Sequence, residues 1–446
     1  MEENIRRRIQ ALARRRARSP SCWAAVGATA LAIAALTVLL APWQGPRPIM
    51  EPEKWMRSRD SYRREYESVL KAVPELREGR QARIAFFIMA HGADDVTKVQ
   101  RAIPWLYHPD HLILVHMDRK TAPEDVQRMQ AYLDKVPNAR VLTPGLDVSW
   151  GGFSITLAAL FGLSTLVQWS KDWDYFMNLS ASDFPLLSAT EMAAVLGAHT
   201  DRRINFVTGG IMYEQNRAER FVDDQGLYRN NLTRKAGRAF MYNDGKTKVI
   251  RPLPTLFHLF KGEFWVTLHR SFCEYISESP DNVARSLQAY FAKFRISDES
   301  FFQTTLCHPQ VPVKPPMGPF PVYNNNLRYI NWPAFDPSTQ WVLHPDPVEV
   351  KHVDKVMRSG ALFARKFELG VSDAAIGAIE ALLGSGGRRR EDRIRRVLKR
   401  AGLARGITGR TRFCHVPASY NLQNIIDNPV DKQMAPKKTR RQRRRR

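Results

Sequence analysis

The stretch ARIAFFIMAHG, an apolar run starting at Ala82 and ended by His91-Gly92, opens the most strongly patterned part of the chain. It reads as a β-strand buried on both faces. Val96, Val99, Ile103 and Leu106 follow at helical spacing and predict a helix over 94–107. HLILVHMD predicts a second buried strand ending at Asp118, Pro123–Leu133 a helix, and Ala139–Leu142 a short strand. Gly151-Gly152 precedes an apolar helix, Ser154–Trp169, and WDYFMNLSASDFPL reads as a strand running into a polar loop. Strands alternating with helices imply parallel βαβ units: an α/β fold with a mostly parallel sheet covered by helices on both faces. In such sheets ligands bind beyond the carboxyl ends of the strands. Here those ends carry His91, Asp118 and the loop Ser180 to Asp183. Further on, FKGEFWVTLHRSFCEYI predicts a strand followed by a helix. Asp298–Leu306 predicts a helix capped by Ser297 with acidic residues in its first turn. Leu362–Glu368 is amphipathic around two adjacent cations. Ser372–Leu383 is helical, and a GSGG break, a basic helix and a tail complete the chain.

The segment before the body adds a membrane. Residues 23–43, WAAVGATALAIAALTVLLAPW, carry no charge and suffice for a hydrocarbon core of roughly 30 Å, with Trp23 and Trp43 as interfacial anchors. Arg-rich sequence precedes this span, so the positive-inside rule puts the N-terminus in the cytosol and the body on the far side. A cleaved signal peptide is the rival; the length of the run and the missing small-residue cleavage site argue for an uncleaved transmembrane signal anchor. The organisation expected is a cytosolic basic tail (1–22), the anchor (23–43), a stem (44–81) with an exposed helix over 56–78, a catalytic domain (82–370) and a basic helical extension with a disordered tail (371–446).

The 68 Lys+Arg against 44 Asp+Glu leave a net charge of +24. The excess gathers in Arg6 to Arg18, Arg388 to Arg400 and Lys437 to Arg446. Such runs read as solvated tails or as surfaces for acidic partners. Nucleic acid is not the expected partner, because the charge is terminal rather than interleaved with aromatics. Four cysteines, Cys22, Cys273, Cys307 and Cys414, allow one or two disulfides, show no metal-ligand spacing and leave the redox compartment open. No Walker-type loop, H-E-x-x-H or G-x-S-x-G occurs.

Three motifs have competing local readings. Asp298-Glu299 beside Phe301-Phe302 fits a general base or an acidic helix start. Arg365-Lys366 between Phe363 and Phe367 fits neutralisation of a diphosphate or snorkelling on an amphipathic helix. Asp172-Trp173-Asp174 formally reads D-x-D, a metal-diphosphate pattern, but it stands before a strand rather than after one. Asn231 heads a glycosylation sequon in a polar loop; Asn178 heads another at the end of a buried strand.

Taken in order, RIAFFIMAH, LILVHMDRK, SWGGFS, WDYFMNLSASDFPL, KGEFWVTLHRSF, SDESFFQTTL, LRYINW and LFARKFE resemble one family, over about 82–369. It is that of the core-2/I-branching N-acetylglucosaminyltransferases and protein O-xylosyltransferases (glycosyltransferase family 14). The WGG, SDESFF and FARKFE forms are closer to the xylosyltransferase side. The resemblance implies a GT-A-like fold and inverting transfer from a UDP-sugar to an acceptor hydroxyl on a protein or glycan, with no metal required. By position, Glu299 matches the family's catalytic base. His91, Asp118, Arg328, Arg365 and Lys366 are carried over as nucleotide or diphosphate ligands. Trp150, Gly151, Gly152, Ser182, Asp183, Lys261, Glu263, Trp265, Asp298 and Trp332 are carried over to the donor and acceptor site. Xylose is the favoured sugar, with N-acetylglucosamine and glucuronate open. The location implied is a Golgi membrane, type II with a lumenal body, or a bacterial membrane. The alternative is a non-catalytic glycan-binding or scaffold protein, which a missing base or missing cations would favour; both are present. Four cysteines cannot reproduce the disulfide framework of the family's animal members, and the acceptor loops are expected to differ.

Overall fold

The computed structural model describes residues 48–212, 221–224, 227, 240–242, 253–312, 320–333, 344–402 and 413–417. Among them no helix is long and apolar enough to cross a membrane. The 23–43 span, the Asn231 sequon and the 437–446 tail lie outside the described residues. The N-terminal half contains α1 (Arg59–Ala72), β1 (Ile84–Ala90), α2 (Gly92–Leu106), β2 (Leu112–Met117), α3 (Pro123–Leu133), β3 (Ala139–Leu142) and α4 (Ser154–Trp169). Next come β4 (Tyr175–Ser180), β5 (Phe184–Pro185), α5 (Ala189–Gly197), β6 (Asn205–Val207), β7 (Gly209–Ile211), β8 (Phe221–Asp223), β9 (Phe240–Tyr242), β10 (Phe260–Gly262) and β11 (Thr267–His269). The remainder is α6 (Arg270–Glu278), α7 (Val283–Phe291), α8 (Phe301–Cys307), β12 (Val322–Asn324), β13 (Arg328–Ile330), α9 (Val353–Arg358), β14 (Phe363–Arg365), α10 (Asp373–Leu383) and α11 (Arg388–Arg400).

The central sheet has the order β12-β6-β11-β4-β1-β2-β3. Neighbours pair in parallel except at β11, which runs antiparallel to both β4 and β6. The mixed α/β architecture with a mostly parallel sheet is therefore as the sequence predicts. β1 is central, and period-2 alternation sends its side chains to opposite cores. Ile84, Phe86 and Ile88 join the core beneath α1, α2, α3, α5, α10 and α11. Ala85 and Phe87 join the core beneath α4, α6, α7 and α8. Gly162 lets α4 lie flat on β1: a Cβ there would overlap the Phe87 ring.

Three local predictions are corrected. FKGEFWVTLH is not one strand; β10 pairs with β7 in a separate ribbon, while β11 enters the central sheet. LFARKFE is not a helix. It contains β14, which lies between β13 and β5 in a three-stranded sheet and is buried on both faces, with Leu362, Phe363 and Ala364 all fully buried. The Asp298–Leu306 helix is broken: a 3-10 turn, Ser297–Glu299, precedes α8. Ser297 does not cap it, since its buried hydroxyl bonds Thr156 instead.

The segment expected as an exposed stem helix buries Tyr62 and Val69, and the basic helix α11 buries Ile394, Val397 and Leu398, in the core that also receives Ile84. Part of the α11 charge is used internally, while Arg388, Arg389 and Lys399 stay exposed. Arg393, 4% exposed, donates to the carboxylate of Glu191, 1% exposed, at 2.8 Å. Arg390 bonds Glu191 at 2.7 Å and Glu65 at 3.0 Å. Glu191 also closes a capping box with Ser188 on α5. Removing Glu191 would leave the buried Arg393 charge unmatched, a loss of about 3–5 kcal/mol. Cys307 and Cys414 form a disulfide; Cys273 is buried and free.

Buried imidazoles finish the strand ends as neutral acceptors. His116 accepts from Leu146 N–H at 2.9 Å, His108 from Asp110 N–H at 3.1 Å, and His269 from Ser271 N–H at 3.2 Å. Burial pulls each of these, and His199, down to about 4. The unfolded chain binds protons near pH 6.5 and the folded one only near 4. Stability is thus fully present above pH 6.5 and is lost as pH falls through this window, on the order of 3 kcal/mol per ring at the limit. Urea midpoints measured from pH 7 to pH 5 are expected to fall steeply. A flat profile would show that these rings take up protons over the same pH range in the folded and the unfolded chain.

Candidate active site

The carboxyl ends of β1 and β4 meet where the strand order reverses, the position at which doubly wound sheets bind ligands. Immediately after β4, Asp183 turns back to accept from Ser180 N–H at 2.6 Å and Ser180 Oγ at 2.8 Å. One residue later β5 begins, pairing Phe184 with Ala364 of β14. β14 pairs in parallel with β13, Arg328 opposite Phe363 and Ile330 opposite Arg365. The small sheet therefore carries two arginines to the end of the large one.

Both arginines are held in apolar frames. The Arg328 guanidinium, 3% exposed, stacks over Phe363 at 4.5 Å and donates one bond, to Asn178 O at 3.3 Å. Its Nε and Nη1 have no hydrogen-bond partner. Burial, aided by the like charge of Arg365, lowers it to about 10, against the pull of Asp183 and Glu263. Arg365 stacks over Trp265 at 3.9 Å and also has unpartnered Nε and Nη1. Burial lowers it too, opposed by Asp183 and Glu263. Asp183 Oδ1 is buried and unpartnered as well. Buried polar groups are nearly always satisfied. Guanidinium donors left open beside two carboxylates fit an incoming polyanion such as a diphosphate.

Glu263 continues this row of charges. Its carboxylate takes the Asn326 amide, and burial, with the neighbouring Glu299 charge, pushes it above the usual carboxylate range. Glu299 follows, its side chain 34% exposed, with Lys261 Nζ at 4.0 Å. Its turn is buttressed from the Trp150-Gly151-Gly152 loop. Ile296, in left-handed backbone, donates to Gly151 O at 2.9 Å, and Ser297 Oγ bonds Thr156 at 2.8 Å. Gly151 itself needs its φ of 80°, and at Gly152 a Cβ would overlap the Asp224 carboxylate. The pair of glycines thus explains the WGG spelling.

Asp183, Lys261, Glu263, Trp265, Glu299, Arg328 and Arg365 are brought together. Ser182 is adjacent, its hydroxyl accepting from Lys98 at 3.2 Å, and Asp298 lies in the same turn as Glu299. Lys366 stands next to Arg365 and pairs with Glu368 at 2.7 Å. His91 is exposed at the end of β1. The Asp118 carboxylate is already occupied by Lys120 Nζ at 2.9 Å and Val148 N–H at 3.2 Å, so it shapes the loop leading to Trp150. Trp150 and Trp332 are 61% and 50% exposed. The formal D-x-D belongs elsewhere: Asp174, at the amino end of β4, holds Arg80 at 2.9 Å and Arg83 N–H at 2.7 Å. The Asn178 sequon is structural, its buried amide joining Phe264 O and Val266 N–H. Among the described residues no group of three or more His, Cys, Asp or Glu could hold a metal ion.

Sequence reasoning missed Asn326, Gln303 and Asp224. Gln303 donates to the Glu263 and Thr208 carbonyls and so ties α8 to the residues flanking β10 and β7. The run Asn324-Asn325-Asn326 before β13 is a turn signal that could have drawn notice; the other two carry none.

Residues 84–355 match the sequence model of the family described as Core-2/I-Branching enzyme. Beta-glucuronosyltransferase GlcAT14A of Arabidopsis thaliana is 29% identical over 290 residues, 63% of this chain and 60% of that one. GlcAT14C of the same plant is 31% identical over 61% of this chain and 67% of its own. Human Xylosyltransferase 1 is 27% identical over 68% of this chain and 30% of its own. The chain thus spans less than two thirds of GlcAT14A and under a third of the xylosyltransferase. A solved structure of mouse xyloside xylosyltransferase 1 reaches a TM-score of 0.25 at 13% identity, over 50% of this chain and 81% of that one, too slight to bear on function.

Asp183→Ala leaves two buried guanidiniums with less counter-charge and the Ser180 N–H without its acceptor. It is expected to cost about 3–5 kcal/mol in urea unfolding. A loss below about 1 kcal/mol would mean that the arginines do not depend on Asp183.

Proposed function

Because the chain belongs to the Core-2/I-branching enzyme family, we propose that it is an inverting glycosyltransferase moving a sugar from a UDP-sugar to an acceptor hydroxyl on a protein or glycan. The observation that carries this reading is the union, in one site, of an accessible carboxylate, Glu299, with the open guanidinium donors of Arg328 and Arg365. Glu299 takes the acceptor's proton as its oxygen attacks the anomeric carbon from the face opposite UDP. The new C–O bond forms while the bond to the diphosphate breaks, in one displacement through an oxocarbenium-like state. Arg328, Arg365 and Lys366 stabilise the charge arriving on the diphosphate, worth roughly 3–4 kcal/mol per well-placed donor. Those cations do the work for which other transferases recruit a metal, and the reaction is proposed to run without one. Lys261, Glu263, Trp265 and Asp298 form the sugar and acceptor wall, with Trp150 and Trp332 as stacking faces, on a GT-A-like fold.

Xylose is the donor sugar favoured by the motif forms. Glucuronate is the second reading, supported by the glucuronosyltransferase names of the plant relatives. These two sugars differ only in the carboxylate at C6. Residues 23–43 are proposed to anchor the protein with its body on the non-cytosolic side, in the Golgi lumen or outside a bacterial membrane. The Cys307–Cys414 disulfide supports an oxidising compartment.

The test is UDP release by the full-length chain in detergent from UDP-xylose, UDP-glucuronate and UDP-N-acetylglucosamine, with EDTA present. One donor is expected to be consumed. Lys366→Ala should lower kcat by about 10²–10³. Glu299→Gln should lower transfer to an acceptor by about 10²–10⁴. A folded protein that neither binds nor cleaves any of the donors would overturn the reading.

A further inference from the structure

The C-terminal helix α11 ends against the arginine-bearing strands. Gly402, at φ 79°, sits where a Cβ would overlap the Tyr323 ring of β12, and Gly360, at φ 71°, where one would overlap the Arg396 carbonyl. Between these close approaches, the last helical residue, Arg400, spreads all three guanidinium nitrogens over two turns. Nη2 donates to Arg328 O at 2.6 Å, Nε to Asn325 Oδ1 at 3.3 Å, and Nη1 to Ser359 O at 3.1 Å. The first two acceptors belong to the turn that launches β13, and the third to the turn that launches β14. The β13 turn is otherwise held by the backbone bonds of Leu362 N–H to Leu327 O and Asn325 N–H to Tyr323 O, both at 2.8 Å, and by its own side chains. Leu327 is in left-handed backbone, and Asn325 and Asn326 close it with side-chain bonds to the Leu327 and Arg328 amides at 2.8 and 3.1 Å. Asn326 then reaches Glu263. Burial lowers the Arg400 pKa, and the Glu263 charge opposes this, so the guanidinium senses the site itself. Arg400 and Ser359 lie beyond residue 355, where the family match ends, while the β13 turn that Arg400 holds lies within it.

We propose that Arg400 is a positioning residue: by holding the two strand-entry turns, it aims the Arg328 and Arg365 guanidiniums at the diphosphate. The proposal rests on the diphosphate-binding role given to those arginines above. Two fixed turns orient two strands of three residues each, and such short strands cannot set their own angle. A planar guanidinium with several donors is suited to this task, and a lysine is not.

The experiment compares UDP with uridine, which lacks the phosphates, by calorimetry on the full-length chain in detergent. It is paired with amide hydrogen exchange over 325–331 and 359–366. Arg400→Met is expected to weaken UDP binding about tenfold or more and leave uridine binding unchanged. Both turns should exchange faster. Arg400→Lys should recover part of the UDP affinity. Arg395→Met, on the same helix and paired at the surface with Glu75, should change neither ligand. UDP affinity equal to wild type in Arg400→Met, or an equal loss of UDP and uridine, overturns the proposal. If Arg400→Met does not fold, Arg400→Lys decides by the same criteria. If the wild type binds neither ligand, the reading of the site fails instead, and the exchange rates still decide whether Arg400 holds the turns: unchanged rates at both overturn the clamp.

Discussion

A guanidinium withdrawn from water must be met by carboxylates, by carbonyls or by an anion that arrives later, and Arg328 and Arg365 place the whole site under that constraint. Asp183 and Glu263 meet part of it, and Phe363 and Trp265 supply aromatic faces for the delocalised cations. What is left open is a set of donors aimed at no protein acceptor. Asp183 needs the hairpin after β4, Glu263 needs the β7–β10 ribbon, and the arginines need the small sheet. The central sheet serves chiefly to bring these edges to one place.

The frame was legible where patterns were long. β1, β2, α3, β3 and α4 follow their predicted spans within a residue or two, because a strand buried on both faces or a helix of several turns leaves a periodic trace in the sequence. The short elements were not. β14 has three residues and looks helical because Phe363 and Phe367 lie four apart, which suits a helix face as well as a strand running into a turn. Ser297 looks like a helix cap by composition, but its partner Thr156 is 141 positions away in sequence, and no local pattern carries that.

The chemistry was legible through resemblance more than through local physics. Glu299 and Arg365 each had a bland alternative that sequence could not dismiss. Long-range placement gives each its setting: Glu299 backed by the WGG loop, Arg365 over Trp265. Asp118, a strand-end carboxylate that suggested a ligand contact, is bonded to Lys120, a partner no local pattern announced. The basic run of α11 misled through composition alone. Arg390, Arg393 and Arg400 find acceptors inside the fold, so a stretch that looks like a solvated arm is a buttress.

That buttress has a bearing on the protein's birth. Strands β1 to β4 and the Glu299 turn leave the ribosome long before Arg400 does, and can assemble while synthesis continues. Until α11 emerges and docks, the two arginine strands lack the bonds from Arg400 that span their turns. On the role proposed for Arg400, that clamp arrives with α11, the last helix among the described residues. A translation product truncated before α11 would keep most of the core and the Glu299 turn, with the two arginine strands less firmly held.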